Sequence, residues 1–450
     1  MFSFLRKITP QPLLQVYHWL LAHIAALLYG YPSEQLLVIG VTGTNGKSST
    51  VSIIAKILEA GGFKVGSTST IEFKVAEKKW INDKKMTMVG RFELQKLLRQ
   101  MVQSGCTHAI IETTSQGIEQ FRHLGLNYDI AVFTNLTPEH IEAHGGFENY
   151  KKAKGKLFQH LAKSVQKKRD AIFHDNSNEL IQKRAVVNMD DPLAKYFLSL
   201  GSYEQWGYGL IDSRETTVKS GTIHKIFGSY AQKGVLKNIL TLDGIEINLK
   251  LLGQHNAYNA LAAVVVAQTQ GIGIELIKHG LESVDSIPGR LEFIENNRQL
   301  TIIVDYAHEP ESLKKIYKVI QHIPHQRIIH ILGSAGGGRD IARRPILGTI
   351  AAHNADIVIV TNEDPYDDDI NEIIDQVADG ALKSGKVLNH NLHKILDRRE
   401  AIATALQLAQ AKDLILVTGK GCEQAIVTKN RRTIPWDDRK VIRQELMKNL

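Results

Sequence analysis

The sequence predicts an α/β protein. A central, doubly wound, mostly parallel sheet carries a phosphate-binding loop, a Rossmann-like α/β unit follows it, and a short helical segment precedes it. Three observations predict this. Short continuous apolar runs recur between helix-period stretches, as strands buried on both faces of a parallel sheet do. One run leads straight into Gly43-Thr44-Asn45-Gly46-Lys47-Ser48 and then a helical pattern. The pattern breaks at Ser286-Ile287-Pro288-Gly289-Arg290, and a new series of strands begins.

Taken in order, Leu13 to Tyr31 is almost wholly apolar and follows Arg6 and Lys7. It holds Gln15, His18 and His23 and has no small-residue cleavage pattern. It therefore reads as a packed or interfacial amphipathic helix, with peripheral membrane contact as one role, rather than a membrane span or a removed signal. Gln35 to Val41 reads as a buried strand and Ser48 to Glu59 as a helix. Further strands are expected at 106–112, 128–134 and 184–188. Polar alternation over 217–250, with turn signals at Ser220-Gly221 and Asp243-Gly244, predicts a small antiparallel excursion, and 256–270 a helix. The second unit is expected to place strands at 300–305, 327–333, 355–361 and 413–418, with a helix at 371–384. The expected division is 1–34, 35–286 and 287–450, with no repeat of fixed period.

At 450 residues, 43% hydrophobic and 23% charged, the chain has the composition of an ordinary globular protein of two or three domains. Its net charge of +8 is scattered, without aromatic-interleaved basic modules, so an anionic small substrate explains it as well as nucleic acid does. The two cysteines, Cys106 and Cys422, lack metal-ligand spacing and fit a reducing cytoplasm.

The loop ending in Gly46-Lys47-Ser48 lies between strand and helix, as a phosphate cradle requires. Glycines let backbone N–H groups approach phosphates, Lys47 reaches the terminal phosphates and Ser48 can ligate Mg²⁺. It departs by one residue from the usual spacing, which would put the first glycine at Val41 rather than Gly40. Such a loop gives nucleotide binding, and a reaction needs more. Glu112 ends an apolar strand, where a carboxylate either ligates Mg²⁺ or caps a helix. His140 follows another strand end, and a lone histidine there is more often structural. Lys154, in Tyr150-Lys151-Lys152-Ala153-Lys154, reads alone as one more lysine on a solvated helix face.

Together these segments resemble the Mur ligase family, most closely the subgroup that adds the third amino acid to the UDP-N-acetylmuramoyl dipeptide. The motifs are G-T-N-G-K-S at 43–48, E-T-T-S-Q-G at 112–117, F-T-N-L-T-P-E-H at 133–140, Y-K-K-A-K at 150–154 and L-G-Q-H-N-A-Y-N-A at 252–260. They continue with P-G-R at 288–290, D-Y-A-H-E-P at 305–310, G-K-G-C-E at 419–423 and P-W-D-D-R at 435–439. The resemblance implies an ATP- and Mg²⁺-dependent amide-bond ligase of cell-wall peptidoglycan synthesis, acting in the cytoplasm or at the inner membrane surface. A substrate carboxylate takes the γ-phosphate of ATP to give an acyl phosphate, and an amino acid's amine then displaces phosphate.

It implies roles as well. Gly43, Thr44, Asn45, Gly46, Lys47, Ser48, Ser49 and Asn135 would cradle the nucleotide's phosphates, and Asn256, Asn259, Arg290, Asp305 and His308 would grip the nucleotide. Lys47, Glu112, His140 and Lys154 would be catalytic. Ser48 and Glu112 would hold one Mg²⁺, His140 and Lys154 a second. The lysine matching Lys154 is commonly carbamylated in the family. Thr113, Thr114 and Ser115 would meet the muramoyl substrate.

Three departures stand out. The family's usual N-terminal domain for the UDP-sugar is missing, since about 35 residues precede the loop's strand. Lys85 to Arg91 replaces an Asn-Thr-Thr-Pro segment, leaving Thr87 and Arg91 as expected substrate contacts. Where diaminopimelate-adding members carry Asp-Asn-Pro-Arg, this chain has Glu363-Asp364-Pro365-Tyr366, followed by Asp367, Asp368 and Asp369. That acidic run suits a cationic side chain such as lysine, or is a solvated loop. Asp364, Tyr366, Gly419 and Glu423 are the expected amino-acid contacts, with Arg339 on its carboxylate. Lipid-linked peptidoglycan and folylpolyglutamate-type acceptors remain alternatives, as does a P-loop switch without ligation.

Overall fold

The computed structural model describes residues 11–138, 144–210, 223–234, 237–338 and 341–448. His140, Arg339 and the Ser220-Gly221 turn lie outside these residues.

The first sheet has eleven strands: β1 Leu37–Thr42, β2 Val65–Thr68, β3 Glu72–Val75, β4 Lys78–Ile81, β5 His108–Glu112, β6 Ile130–Phe133, β7 Arg184–Asn188, β8 Glu204–Leu210, β9 Ile223–Gln232, β10 Asn238–Leu242 and β11 Ile245–Leu249. Their order is β11-β10-β9-β8-β7-β6-β1-β5-β2-β3-β4. β1 lies between β5 and β6, parallel to both. Every residue of β1 is buried. Its Leu37, Ile39 and Val41 face a core shared with helices Lys47–Ala60, Gln254–Thr269 and Ile274–Glu282. Val38 faces the opposite core, formed with helices Arg91–Gln103 and Phe147–Lys163. Burial on both faces is why the strand reads as an unbroken apolar run rather than an alternation. Gly40 keeps the second face thin, since a Cβ there would stand 2.7 Å from the ring of Tyr128.

Antiparallel strands close both ends of this sheet. β10 and β11 form a hairpin about Asp243 (φ 47°) and Gly244 (φ 82°), two left-handed residues whose twist suits a two-residue hairpin turn. β2, β3 and β4 form the other edge.

A second sheet takes β12 Glu292–Phe293, β13 Thr301–Val304, β14 Ile328–Leu332, β15 Ile357–Thr361, β16 Leu392–Ile395 and β17 Leu414–Val417 in the order β12-β13-β17-β14-β15-β16. It is parallel except for the β12–β13 pair. Both sheets match the predicted α/β class.

The N-terminal apolar stretch forms helix Gln11–Leu28. Among the described residues, no helix is long and apolar enough to cross a membrane. Small residues Ala22, Ala25 and Ala26 face the protein, while Leu13, Val16, Tyr17, Leu20, Ile24, Leu27 and Leu28 make an exposed stripe at helical spacing. Arg99 fastens the end of the segment, donating through Nε to the Tyr29 carbonyl and through Nη2 to that of Gly30, both at 2.8 Å.

Desolvated histidines, His123 and His255 as well as His108 and His330, tie stability to pH. His330 lies between the Tyr317 hydroxyl (2.8 Å) and the Thr418 hydroxyl (2.9 Å), and burial lowers its pKa to about 3. Burial lowers that of His108 to about 4. Both fold neutral and take up a proton on unfolding, so their stability is complete above the ordinary histidine pKa and is lost as pH falls toward 3 to 4. The urea midpoint should therefore drop between pH 6.5 and 4. The variant His330→Leu should be about 2 kcal/mol less stable at pH 7, because two hydroxyls lose their partner, yet show a shallower drop on acidification.

Candidate active site at the phosphate loop

The loop after β1 owes its shape to its neighbours. Asn45 N–H donates to Asn135 Oδ1 at 2.9 Å, and Asn135 Nδ2 returns a bond to the Asn45 carbonyl at 3.0 Å. The Thr134 hydroxyl donates to the same carbonyl at 2.7 Å. Gly43 (φ 149°) and Gly46 (φ 84°) take backbone angles that side chains disfavour. A Cβ on either would collide, with the Thr134 hydroxyl at Gly43 and with Asn259 Oδ1 at Gly46. Gly46 precedes the helix Lys47–Ala60, so the open end of that helix faces the loop. Lys47 Nζ donates to the Thr44 carbonyl at 2.7 Å.

Beside the loop, the Ser48 hydroxyl donates to Glu112 Oε2 at 2.8 Å. Thr70 holds that carboxylate from the other side, with its N–H 2.8 Å from Oε2 and its hydroxyl 3.1 Å from Oε1. The Thr87 hydroxyl lies 2.8 Å from that of Thr70 and can donate to it while Thr70 donates to the carboxylate. A hydroxyl in the first turn of the helix after β1 and a carboxylate at the end of β5 are hard oxygen donors, and Mg²⁺ takes few protein ligands beside phosphates and water. Ser48 and Glu112 fit that cation. Lys154 is buried, donates to the Gly43 carbonyl at 2.7 Å and sits 4.4 Å from the Tyr150 ring centre, so it belongs to the loop rather than to a solvated helix face.

Helix Gln254–Thr269 brings Asn256 and Asn259 to the loop. Asn259 Nδ2 donates to Asn256 Oδ1 at 3.0 Å, and Asn259 Oδ1 accepts from the Thr50 hydroxyl at 3.3 Å. From the second sheet's side, the Arg290 guanidinium stacks 4.3 Å over the Tyr306 ring. Asp305 accepts N–H bonds from Leu291 and Ala307, both at 2.7 Å. Burial raises the Asp305 carboxyl's pKa, against the pull of Arg290. His308 Nδ1 meets the Tyr306 carbonyl at 2.9 Å, and the Ser312 hydroxyl reaches across to Asn45 Oδ1 at 3.2 Å.

One cleft of about 600 Å³ unites Thr44 to Ser49, Thr87, Glu112, Thr114, Ser115, Asn135, Lys154, Asn256 and Asn259 with Arg290, Asp305, His308, Asp364, Tyr366 and Glu423. Arg91, Thr113 and Gly419 do not line it. Arg91 is turned to the Gln120 carbonyl, and the Thr113 hydroxyl is buried against Tyr128 at 3.2 Å. Gly419 is packed so that a Cβ would stand 2.6 Å from Glu363 Oε2.

Sequence reading overlooked Thr70, which orients Glu112, and Tyr258, whose hydroxyl donates to Asp190 Oδ2 at 2.8 Å on the cleft wall. It also overlooked Lys85 and Lys420. Lys420 had a signal in the matched G-K-G-C-E segment and Lys85 opens the departing segment Lys85 to Arg91, where only Thr87 and Arg91 were expected to matter, whereas Thr70 stands in no pattern.

Fold and site define a P-loop nucleotide-binding protein whose two α/β units meet over one cleft. Its chain matches the Mur ligase middle domain over residues 41–267 and the Mur ligase glutamate ligase domain over residues 289–421. It is 37% identical over 435 residues to the UDP-N-acetylmuramyl-tripeptide synthetase of Roseiflexus sp. (strain RS-1), covering 95% of this chain and 81% of that one. It is 34% identical over 425 residues to the UDP-N-acetylmuramoyl-L-alanyl-D-glutamate--2,6-diaminopimelate ligase of Geobacillus kaustophilus (strain HTA426), covering 94% and 81%. A solved structure of a ligase of that latter name superposes with a TM-score of 0.56 at 26% identity, over 92% of this chain and 79% of that chain. The protein belongs to the Mur ligase family, whose members are ATP-dependent amino-acid ligases that use Mg²⁺.

Gly46 gives a direct test of the loop. In Gly46→Ala the left-handed backbone costs about 1 kcal/mol and the methyl meets Asn259. The variant should keep its far-ultraviolet circular dichroism and lose at least ten-fold in affinity for a fluorescent ATP analogue.

Proposed function

We propose that this chain couples ATP cleavage to amide-bond formation between the carboxylate of a UDP-N-acetylmuramoyl peptide and an amino acid. One observation carries the reading: a phosphate loop with its Ser48–Glu112 pair and the acidic pair Asp364–Glu423 line the same cleft from opposite sides. The names of the similar ligases support the choice of acceptor.

In this reading, Lys47 and the loop's N–H groups bind the terminal phosphates and offset the repulsion between the γ-phosphate and the incoming carboxylate. Ser48 and Glu112 hold Mg²⁺, which when bound adds charge neutralisation at the transferring phosphoryl group. Thr70 keeps the Glu112 carboxylate aimed at that position. Arg290 and Asp305 hold the nucleotide from the other unit, and closure over the cleft excludes water from the acyl phosphate. The substrate carboxylate takes the γ-phosphoryl group as the phosphorus–oxygen bond to ADP breaks. The amino acid's neutral amine then attacks the acyl phosphate's carbonyl, the C–N bond forms, phosphate leaves with the C–O bond's electron pair, and the amine's proton passes to the departing phosphate or water.

Lys154 takes the role of a carbamate in the same proposal. Its position within the loop's contacts supports this, since an anionic oxygen group there would lie beside the phosphates. Lys47→Ala and Lys154→Ala should each lower ligation at least a hundred-fold, and a short carboxylic acid should partly rescue the second. A fully active Lys154→Ala enzyme would remove the carbamate. The decisive assay combines ATP, Mg²⁺, UDP-N-acetylmuramoyl dipeptide and each of lysine, diaminopimelate and ornithine, with products read by mass. Phosphate release that ignores every amino acid would end the ligase reading.

The exposed stripe on Gln11–Leu28 supports peripheral contact with a lipid surface. The helix carries no charged residue, its outward side presents aliphatic and aromatic groups, and Arg6 and Lys7 precede it in sequence. The chain should sediment with vesicles containing anionic lipid, and the double variant Leu20→Asp, Leu27→Asp should remain in the supernatant. Self-association in place of vesicle binding would refute the lipid contact.

A further inference from the structure

Lys85 lies in the segment between β4 and helix Arg91–Gln103 and reaches across the cleft. Its ammonium donates to Asp364 Oδ2 at 3.0 Å and to Glu423 Oε2 at 2.5 Å. Lys420, on the second sheet's own side, donates to Asp364 Oδ1 at 2.8 Å and to the same Glu423 oxygen at 2.7 Å. Two ammonium groups thus face two carboxylates, and the cluster is balanced. A further cation brought to this spot would leave it one positive charge in excess. It can enter only by taking the place of one of the lysines.

The two lysines are not held alike. Lys420 is wholly buried, whereas the Lys85 side chain keeps 15% of its exposure. The second carboxylate oxygen of Asp364 is further fixed by the Val427 N–H at 2.8 Å, so the arrangement about Lys420 belongs to its own unit. Burial and the adjacent Lys420 ammonium lower the pKa of Lys85, while Glu423 and Asp364 raise that of Lys420 in spite of its burial. The backbone at Lys85 is left-handed (φ 50°), a conformation that non-glycine residues rarely adopt without support. Lys85 is therefore the cation that leaves.

We infer that the Lys85 ammonium is an internal stand-in for the far-end ammonium of a diamino acid, and that such an amino acid binds Asp364 and Glu423 by displacing it. The inference rests on the proposed reading in which these carboxylates face the incoming amino acid. Lys85 is then a specificity-determining residue. It lowers affinity for every cationic amino acid by the cost of its own release, and only one whose remaining contacts outweigh that cost is retained. A chain with a neutral residue at this position would present a net negative pocket and hold free lysine more tightly.

The test is calorimetric titration of the full chain and of Lys85→Gln, Lys85→Met and Lys85→Arg with L-lysine and with L-norleucine, which has the same stem without the ammonium. Both neutral variants should bind lysine at least ten-fold more tightly than the unaltered chain, Lys85→Arg should bind as the unaltered chain does, and norleucine should not distinguish the four. Lysine binding that stays the same or weakens in both neutral variants overturns the inference, as does an equal gain for norleucine, which would mean only that the cleft has opened. Two neutral variants are used so that misfolding of one, seen by circular dichroism, leaves the comparison intact. Failure of the ligase reading would show instead as absence of an ATP-dependent product, a measurement that does not enter this titration.

Discussion

The phosphate loop is clamped at its centre by a reciprocal interaction, the paired hydrogen bonds between Asn45's backbone and the Asn135 side chain, which Thr134 and Lys154 reinforce. The pair exists because β1 and β6 run parallel and end together, with Thr42 opposite Phe133. On the other flank β5 ends level with β1, Val41 opposite Glu112, which delivers the carboxylate beside Ser48. Three adjacent strand ends therefore supply a clamp, a loop and an acid. A slip of one residue in either pairing would turn Glu112 or the β6 end to the opposite face and dissolve the site. The glycines follow from the crowding around the loop, because the end of β6 brings Thr134, and helix Gln254–Thr269 brings Asn259, to where their β-carbons would be.

The opposite wall of the cleft is built differently. Around Arg290 and Asp305 its parts are backbone-anchored: Asp305 is pinned by two N–H groups, and Gly289 (φ 65°) lets the chain pass against Cys422, where a Cβ would collide. That close approach makes Cys422 a small packing residue, buried beside the turn rather than reactive, and its burial raises its thiol pKa to about 11. Farther along, around Asp364 and Glu423, long side chains carry the contacts. Ion pairs between long side chains can exchange partners without moving the backbone.

This difference explains what could be read in the sequence. The central strands β1, β5, β6 and β7 and the second sheet's β13, β14, β15 and β17 are legible as apolar runs because both faces are buried. The strands β3 and β4 were not, for they are four residues each, lie at an edge and carry Lys74, Lys78 and Lys79. β8 holds two glycines in Glu204–Leu210, which weakens any strand pattern. The phosphate loop is legible because backbone geometry restricts the residues that can form it. Glu112 stood out as a carboxylate ending an apolar strand, and resemblance then gave Lys154, Asp364 and Glu423 their expected roles. Thr70 and Lys85 escaped because a single polar side chain acquires meaning only from its partner, and the partner of Lys85 is 279 residues away.

Charge along the cleft completes the argument. In the ligation proposed for this chain, two anions, a phosphoryl group and a carboxylate, must approach each other at one end, where Lys47 and Arg290 face the carboxylates of Glu112 and Asp305 and where the Mg²⁺ of the proposal would supply the remaining positive charge. The other end must receive an amino acid and release no charge imbalance when it does so, and there the groups of the chain balance one another. In a low-dielectric cleft an uncompensated ammonium or carboxylate would be costly. Fixed cations beside oxygens that can hold a metal suit the end where anions gather, and a neutral, exchangeable cluster suits the end where the amino acid must enter. The scattered net charge of +8 predicted neither feature, since what matters is where a few cations lie and whether a carboxylate already satisfies them.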